Sequence, residues 1–257
     1  FWQYGDGTWD KLDSESIEHV ATNYSGRTSA GHRGVWIQTA QGDKPLRMTQ
    51  SAVSGAVKLF RSNILARQPR RVFAMAERGV SFRNGFVTVK NGAVELRPHS
   101  PDQLCRHKFD FDFDPNAKHD KLDVFLDEVF GDASEDERAG RAATLQEFIG
   151  ACLAGDATTY QKCLILYGTG GNAKSQVLTI ARSVFPPGSV ISFPPQEWGV
   201  SFQAVRLVGS LANFCDEIPE HDITHGDVFK SIVTGDPRHC DVKNRTPMQF
   251  IPIAGHI

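Results

Sequence analysis

The residues best suited to chemistry lie between Cys163 and Gln176, in the run Cys-Leu-Ile-Leu-Tyr-Gly-Thr-Gly-Gly-Asn-Ala-Lys-Ser-Gln. An apolar stretch, Leu164 to Tyr167, meets a glycine cluster at Gly168, Gly170 and Gly171. Lys174 and Ser175 follow, and then the periodic segment Val177, Leu178, Ile180, Ala181. The order is strand, loop, helix. The loop fits the phosphate-cradling pattern G-x-x-x-x-G-K-[ST] at every fixed position but the second glycine, where Ala173 stands. Glycines let the backbone wrap a phosphate with N–H groups turned inward, and a helix starting near Lys174 adds its positive end. In such a loop, Gly168 through Ser175 (Gly168, Thr169, Gly170, Gly171, Asn172, Ala173, Lys174, Ser175) bind nucleotide, Lys174 reaches the β- and γ-phosphates, and the Ser175 hydroxyl binds magnesium. Ala173 keeps its N–H, so the cradle loses no donor, but its methyl restricts φ and crowds the phosphate.

A second set of candidates lies about forty residues on. Leu211 to Phe214 is an apolar strand whose end carries Asp216 and Glu217. Two acids at the carboxyl end of a strand, after a phosphate loop, are placed to organise magnesium (Asp216) and activate a water (Glu217). Lys243 and Arg245 sit at the tip of an expected hairpin over residues 240–257, where they suit either contact with a phosphate backbone or a charged turn facing water. His221, His225, His239 and Cys240 have no spacing that completes a metal-ligand set. Asp110, Asp112 and Asp114 alternate with Phe109, Phe111 and Phe113, which favours a strand with a solvated acidic face over a metal site.

The elements that must hold these residues follow from periodicity. Residues 1–12 read as an aromatic hairpin around Gly5-Asp6-Gly7, its rings belonging to a core rather than to a base-stacking platform. A short helix capped by Asp13 or Ser14 follows. Residues 25–47 are turn-rich, with a short strand at 35–38, and Thr49 or Ser51 opens a further helix. Arg67, Arg70 and Arg71 read as a solvated basic turn. Asn84-Gly85 and Asn91-Gly92 mark two tight turns between strands over 80–97. Helices are expected at about 121–130 and from Ser134, whose Ser-Glu-Asp-Glu opening is a capping box. Strands are expected at 190–193 and 211–217, and a helix capped by Thr224 that ends at Gly235. A domain boundary is placed at 132/133.

Composition bounds the rest. The chain has 257 residues, 40% of them hydrophobic and 23% charged, and a formal net charge of −2. That is the profile of a soluble globular protein, without the apolar runs of a membrane protein or a general coat of nucleic-acid-binding charge. Five cysteines with no close pair suggest neither disulfides nor a zinc module, and so a reducing, cytoplasmic setting. Phe1 at the start and Ile257 inside an apolar run read as cuts from a longer chain. No signal or transit peptide is visible.

Together these pieces resemble the primase-helicase family of phages, plasmids and poxviruses, whose motor is a superfamily III helicase of the AAA+ class. The resemblance rests on Asn84-Gly85, His99-Ser100-Pro101 and Phe113-Asp114-Pro115-Asn116-Ala117, then on the loop from Gly168 to Ser175. It continues through Phe214-Cys215-Asp216-Glu217, Lys230 to Asp236 and Val242-Lys243. It implies an α/β fold: a P-loop AAA+ core at 133–257 with a parallel sheet flanked by helices, incomplete, after a mixed α+β accessory domain at 1–132. It implies ATP and Mg as cofactors, with Lys174 and Glu217 catalytic, Ser175 and Asp216 on the metal, and Lys243 on DNA beside Arg245. It also implies single-stranded DNA as partner and a homo-hexamer in the full-length protein, in the cytoplasm of a bacterial host. The chain stops before the family's sensor asparagine and arginine finger. The expected function is an ATP-dependent DNA helicase of a phage or plasmid replication protein. The alternatives are a DNA-binding or assembly module with a vestigial nucleotide site, and a phosphotransferase built on the same loop.

Overall fold

The computed structural model describes residues 2–13, 16–17, 36–39, 42–45, 49, 51–55, 57–59, 76–131, 133–168, 171–216, 226–241 and 247–257. The chain divides into two compact units, one of residues 1–5 and 9–72, the other of residues 6–8 and 73–257. The boundary expected at 132/133 falls inside the second. Arg67, Arg70, Arg71, His221 and His225 lie outside the described residues, as do Ser14 and Thr224.

Strand β1 (Trp2–Gly5) pairs with β2 (Thr8–Lys11) across Asp6 and Gly7, whose φ values of 50° and 83° make the turn. The Tyr4 and Trp9 rings lie 5.5 Å apart. Asp13 accepts from the Ser16 N–H at 2.6 Å, and Thr49 caps the helical segment from Ser51 by accepting from the Ala52 N–H at 3.2 Å. Strands β3 (Trp36–Thr39) and β4 (Gly42–Pro45) form an antiparallel pair, Trp36 opposite Pro45.

The second unit opens with an antiparallel sheet, β5 (Val80–Phe82), β6 (Gly85–Lys90) and β7 (Ala93–Arg97). Asn91 and Gly92, at φ 52° and 78°, supply the tight turn that their types announce. Phe86 is fully buried, and Phe82 sits among Phe109, Phe111 and Phe113 at centroid distances of 5.0, 5.7 and 5.3 Å. The segment 109–114 is not the strand its alternation predicts. It runs beside β5 through an isolated parallel bridge, Ser81 to Lys108, with the Phe109 N–H donating to the Ser81 carbonyl at 2.9 Å and the Arg83 N–H to the Phe111 carbonyl at 3.0 Å, and Asn84 then takes both backbone groups of Phe113. His99 likewise holds the Phe82 carbonyl through Nε2 at 2.8 Å. Asn84 and His99, two of the residues that carry the family resemblance, thus brace this sheet.

Helices α1 (Asp120–Val129) and α2 (Glu135–Leu153) come next. In α2 Ser134 and Glu137 form the expected capping box, and Leu126, Leu145 and Val177 meet in a small core. Helix α3 (Lys174–Ser183) leads to a parallel sheet, β8 (Val190–Ile191), β9 (Ala212–Asn213) and β12 (Gly255–His256), in the spatial order β8-β9-β12. The run before the glycines lies along the outer side of β12, where the Leu164 N–H donates to the His256 carbonyl at 2.9 Å. Phe193, Trp198, Leu207 and Ile232 fill one core beside this sheet, and Cys152, Ala181, Phe185 and Phe214 fill another.

The last stretch corrects a sequence expectation. Instead of one hairpin over 240–257, β10 (Arg238–Cys240) pairs antiparallel with β11 (Met248–Phe250), and the chain then leaves as β12 to join the parallel sheet. Burying Ala254 and His256 beside β9 decides this, since the partner strand lies some forty residues away in sequence. Helix α4 (Gly226–Val233) precedes the hairpin and turns Val228, Ile232 and Val233 inward.

Candidate functional site

The phosphate-loop candidates converge at the start of α3. Val177 and Ala181 are buried and anchor that helix against the core. Its N-cap is Ala173, at φ 59° and ψ 12°, which makes no side-chain cap. An alanine side chain accepts nothing from the first turn, and the Gln176 N–H donates instead to the Ala173 carbonyl at 3.0 Å. The conformation at Ala173 is the left-handed one, which a Cβ disfavours by about 1–2 kcal/mol and glycine adopts freely.

Gly171 also has positive φ, 80°. At Gly168 a Cβ would meet the Asn172 side-chain amide, which would have to turn aside. Lys174 folds over this arc: its Nζ donates to the Gly168 carbonyl and to Asn172 Oδ1, each at 2.7 Å. The ammonium thus bridges the two ends of the loop. Thr169 and Gly170, between them, lie outside the described residues, as do Glu217, Lys243 and Arg245.

Ser175 is exposed on the first turn of α3. Asp216 stands just beyond β9, its side chain 54% exposed, and its Oδ1 accepts from Arg182 Nη2 at 2.6 Å. The same guanidinium lies 5.1 Å over the Phe214 ring. Sequence spacing did not single out Arg182, because the pair spans 34 residues; its place in the last turn of α3, packed behind the acidic strand end, was the available signal.

The loop opens onto a cleft of about 1240 Å³ between itself and the facing sides of α1 and α2. The cleft takes in Gly168, Asn172 and Lys174 from the loop, Phe125 and Phe130 near the end of α1, and Gly140, Arg141 and Thr144 from α2. Nothing in the sequence marked these helices as a wall of the site.

Other candidates take structural places. Among the described residues no group of His, Cys, Asp and Glu is arranged to hold a metal ion. None of the five cysteines is in a disulfide. Burial pushes the Cys152 thiol up to about 12, so it packs as a small hydrophobe. His256 is buried against Trp198, ring centroids 4.4 Å apart, and burial holds its imidazole down at about 3. Among the described residues no helix is long and apolar enough to cross a membrane.

Two family models match the chain. One, described as D5 N terminal like, covers residues 2–131, half of the chain; the other, described as a family of unknown function, DUF5906, covers residues 166–257. No curated protein matches it.

Proposed function

This chain belongs to the D5 N terminal like family, a domain associated with phage and viral primase-helicase proteins and hence with replication, and from there we propose that residues 133–257 are an ATP-binding helicase motor. The observation that carries the reading is the loop from Gly168 to Lys174. It leads from beside a parallel sheet into a helix with no side-chain cap, and the Lys174 ammonium donates to Gly168 and Asn172. The spatial order of the sheet supports it too: the run before the loop, then β12, then the acid-bearing β9, then β8. The run itself is no strand and meets β12 through the Leu164 N–H, while Asp216 follows the carboxyl end of β9, the end of a strand at which open α/β sheets bind ligands.

The residues present suit a magnesium nucleotide. Ser175 and Asp216 offer the hard oxygen donors that magnesium takes, and both are exposed. The bound magnesium would neutralise charge on the phosphates as it develops. With a nucleotide bound, Lys174 would exchange its bonds to Gly168 and Asn172 for phosphate oxygens, Asp216 would leave Arg182 to serve the metal, and the positive end of α3 would favour the phosphates. Glu217 polarises the attacking water. Lys243 and Arg245 engage single-stranded DNA in a homo-hexamer, and hydrolysis drives translocation.

A second reading, an assembly or DNA-binding module with a vestigial site, is favoured by one feature: Ala173 in a glycine conformation. Magnesium-dependent binding of a fluorescent ATP analogue separates the two. The motor reading expects binding that Lys174→Ala abolishes. Absence of binding in the parent and in Ala173→Gly alike leaves the assembly module.

A further inference from the structure

The loop accounts for phosphates and leaves most of the cleft without an occupant. We infer that the wall formed by α1 and α2 receives the nucleoside of the nucleotide whose phosphates lie on the Gly168–Lys174 loop. This rests on the phosphate-loop reading above and extends it to the base and ribose.

Two observations carry it. The cleft is continuous from Lys174 to α2, and its volume of about 1240 Å³ exceeds the few hundred Å³ at which ligand pockets begin. Its lining has the composition of a pocket for a flat, partly polar group: Phe125, Val129 and Phe130 give an apolar side, while Arg141 and Thr144 give polar groups opposite. The Thr144 hydroxyl donates to the Gly140 carbonyl at 2.8 Å, which leaves its oxygen able to accept a hydrogen bond.

The second observation is Gly140. It stands in the interior of α2, where glycine weakens a helix relative to alanine. Packing gives no reason for it, because a Cβ built there meets no atom within 4 Å. Gly140 follows Glu137 by three residues and precedes Arg141 and Thr144 by one and four, which puts all four on the stripe that lines the cleft. A bare backbone at the centre of that stripe leaves room for a ring to lie against the helix.

The test is isothermal titration of the whole chain with ATP and with inorganic tripolyphosphate, each with magnesium, for the parent, Gly140→Leu, Thr144→Trp and Lys174→Ala. In the parent, ATP binds at least tenfold more tightly than tripolyphosphate. Gly140→Leu fills the cleft and erases that advantage, leaves tripolyphosphate within about twofold, and keeps or raises the melting temperature, because leucine favours helix. Thr144→Trp gives the same loss without touching the glycine. Equal affinities in the parent, or an ATP advantage that survives both substitutions, overturns the proposal while the phosphate site stands. Failure of both ligands to bind, or binding of both that Lys174→Ala leaves intact, removes the phosphate reading and this one with it.

Discussion

Replacing Ala173 by glycine tests how the loop is built. Ala173 sits at φ 59° and ψ 12°, caps α3 with no side-chain bond, and is half-buried. Holding an L-residue there costs about 1–2 kcal/mol, which glycine avoids. Against that stands the entropy of a freer unfolded chain, about 0.5–1 kcal/mol. The net expectation for Ala173→Gly is a gain of about 0.5–1 kcal/mol, or about 1–4 °C in a chain of this size. Thermal and urea unfolding read the gain. Ala173→Val, which places a branched side chain at the same φ, is the companion and must lose more than 1 kcal/mol. A glycine variant less stable than the parent, or a valine variant equal to it, would refute the strained-loop account.

Acid should act through His256. Its imidazole is neutral in the fold and takes up a proton on unfolding, so its contribution is complete above pH 6.5 and lost as pH falls towards about 3. The slope approaches ~1.4 kcal/mol per pH unit, about 2 kcal/mol between pH 7 and pH 5. In urea titrations His256→Gln should flatten that dependence, and an unchanged profile would count against the burial argument. Gly255→Ala puts a methyl against Cys152 Sγ and 3.0 Å from the Ala157 Cβ in a filled core, and should cost about 1–3 kcal/mol in unfolding free energy.

Local chemistry was legible from the chain and non-local pairing was not. The Asn91-Gly92 turn and the Ser134-Glu137 capping box are written in a few adjacent residues, and they form as expected because their geometry needs no distant partner. The aspartate-phenylalanine segment stops short of a regular strand: only Phe109 and Phe111 bond to the Ser81 and Arg83 backbone, and the side chain of Asn84, 29 residues away, takes both groups of Phe113. The final hairpin forms, with its second strand from Met248, but it ends at Phe250, because Gly255 and His256 pair instead with β9, some forty residues away. At the site, the glycines and Lys174 declare themselves by spacing. The Arg182–Asp216 pair and the α1–α2 wall depend on packing between elements that no short pattern encodes.

The central claim is that the Gly168–Lys174 loop holds the phosphates of a magnesium nucleotide. Equilibrium binding of a fluorescent ATP analogue, with and without magnesium, to the parent and to Lys174→Ala tests it most directly. The account requires saturable, magnesium-dependent binding to the parent that falls by at least tenfold in Lys174→Ala, while urea unfolding shows the variant still folded. Binding to a folded Lys174→Ala chain that matches the parent would contradict it.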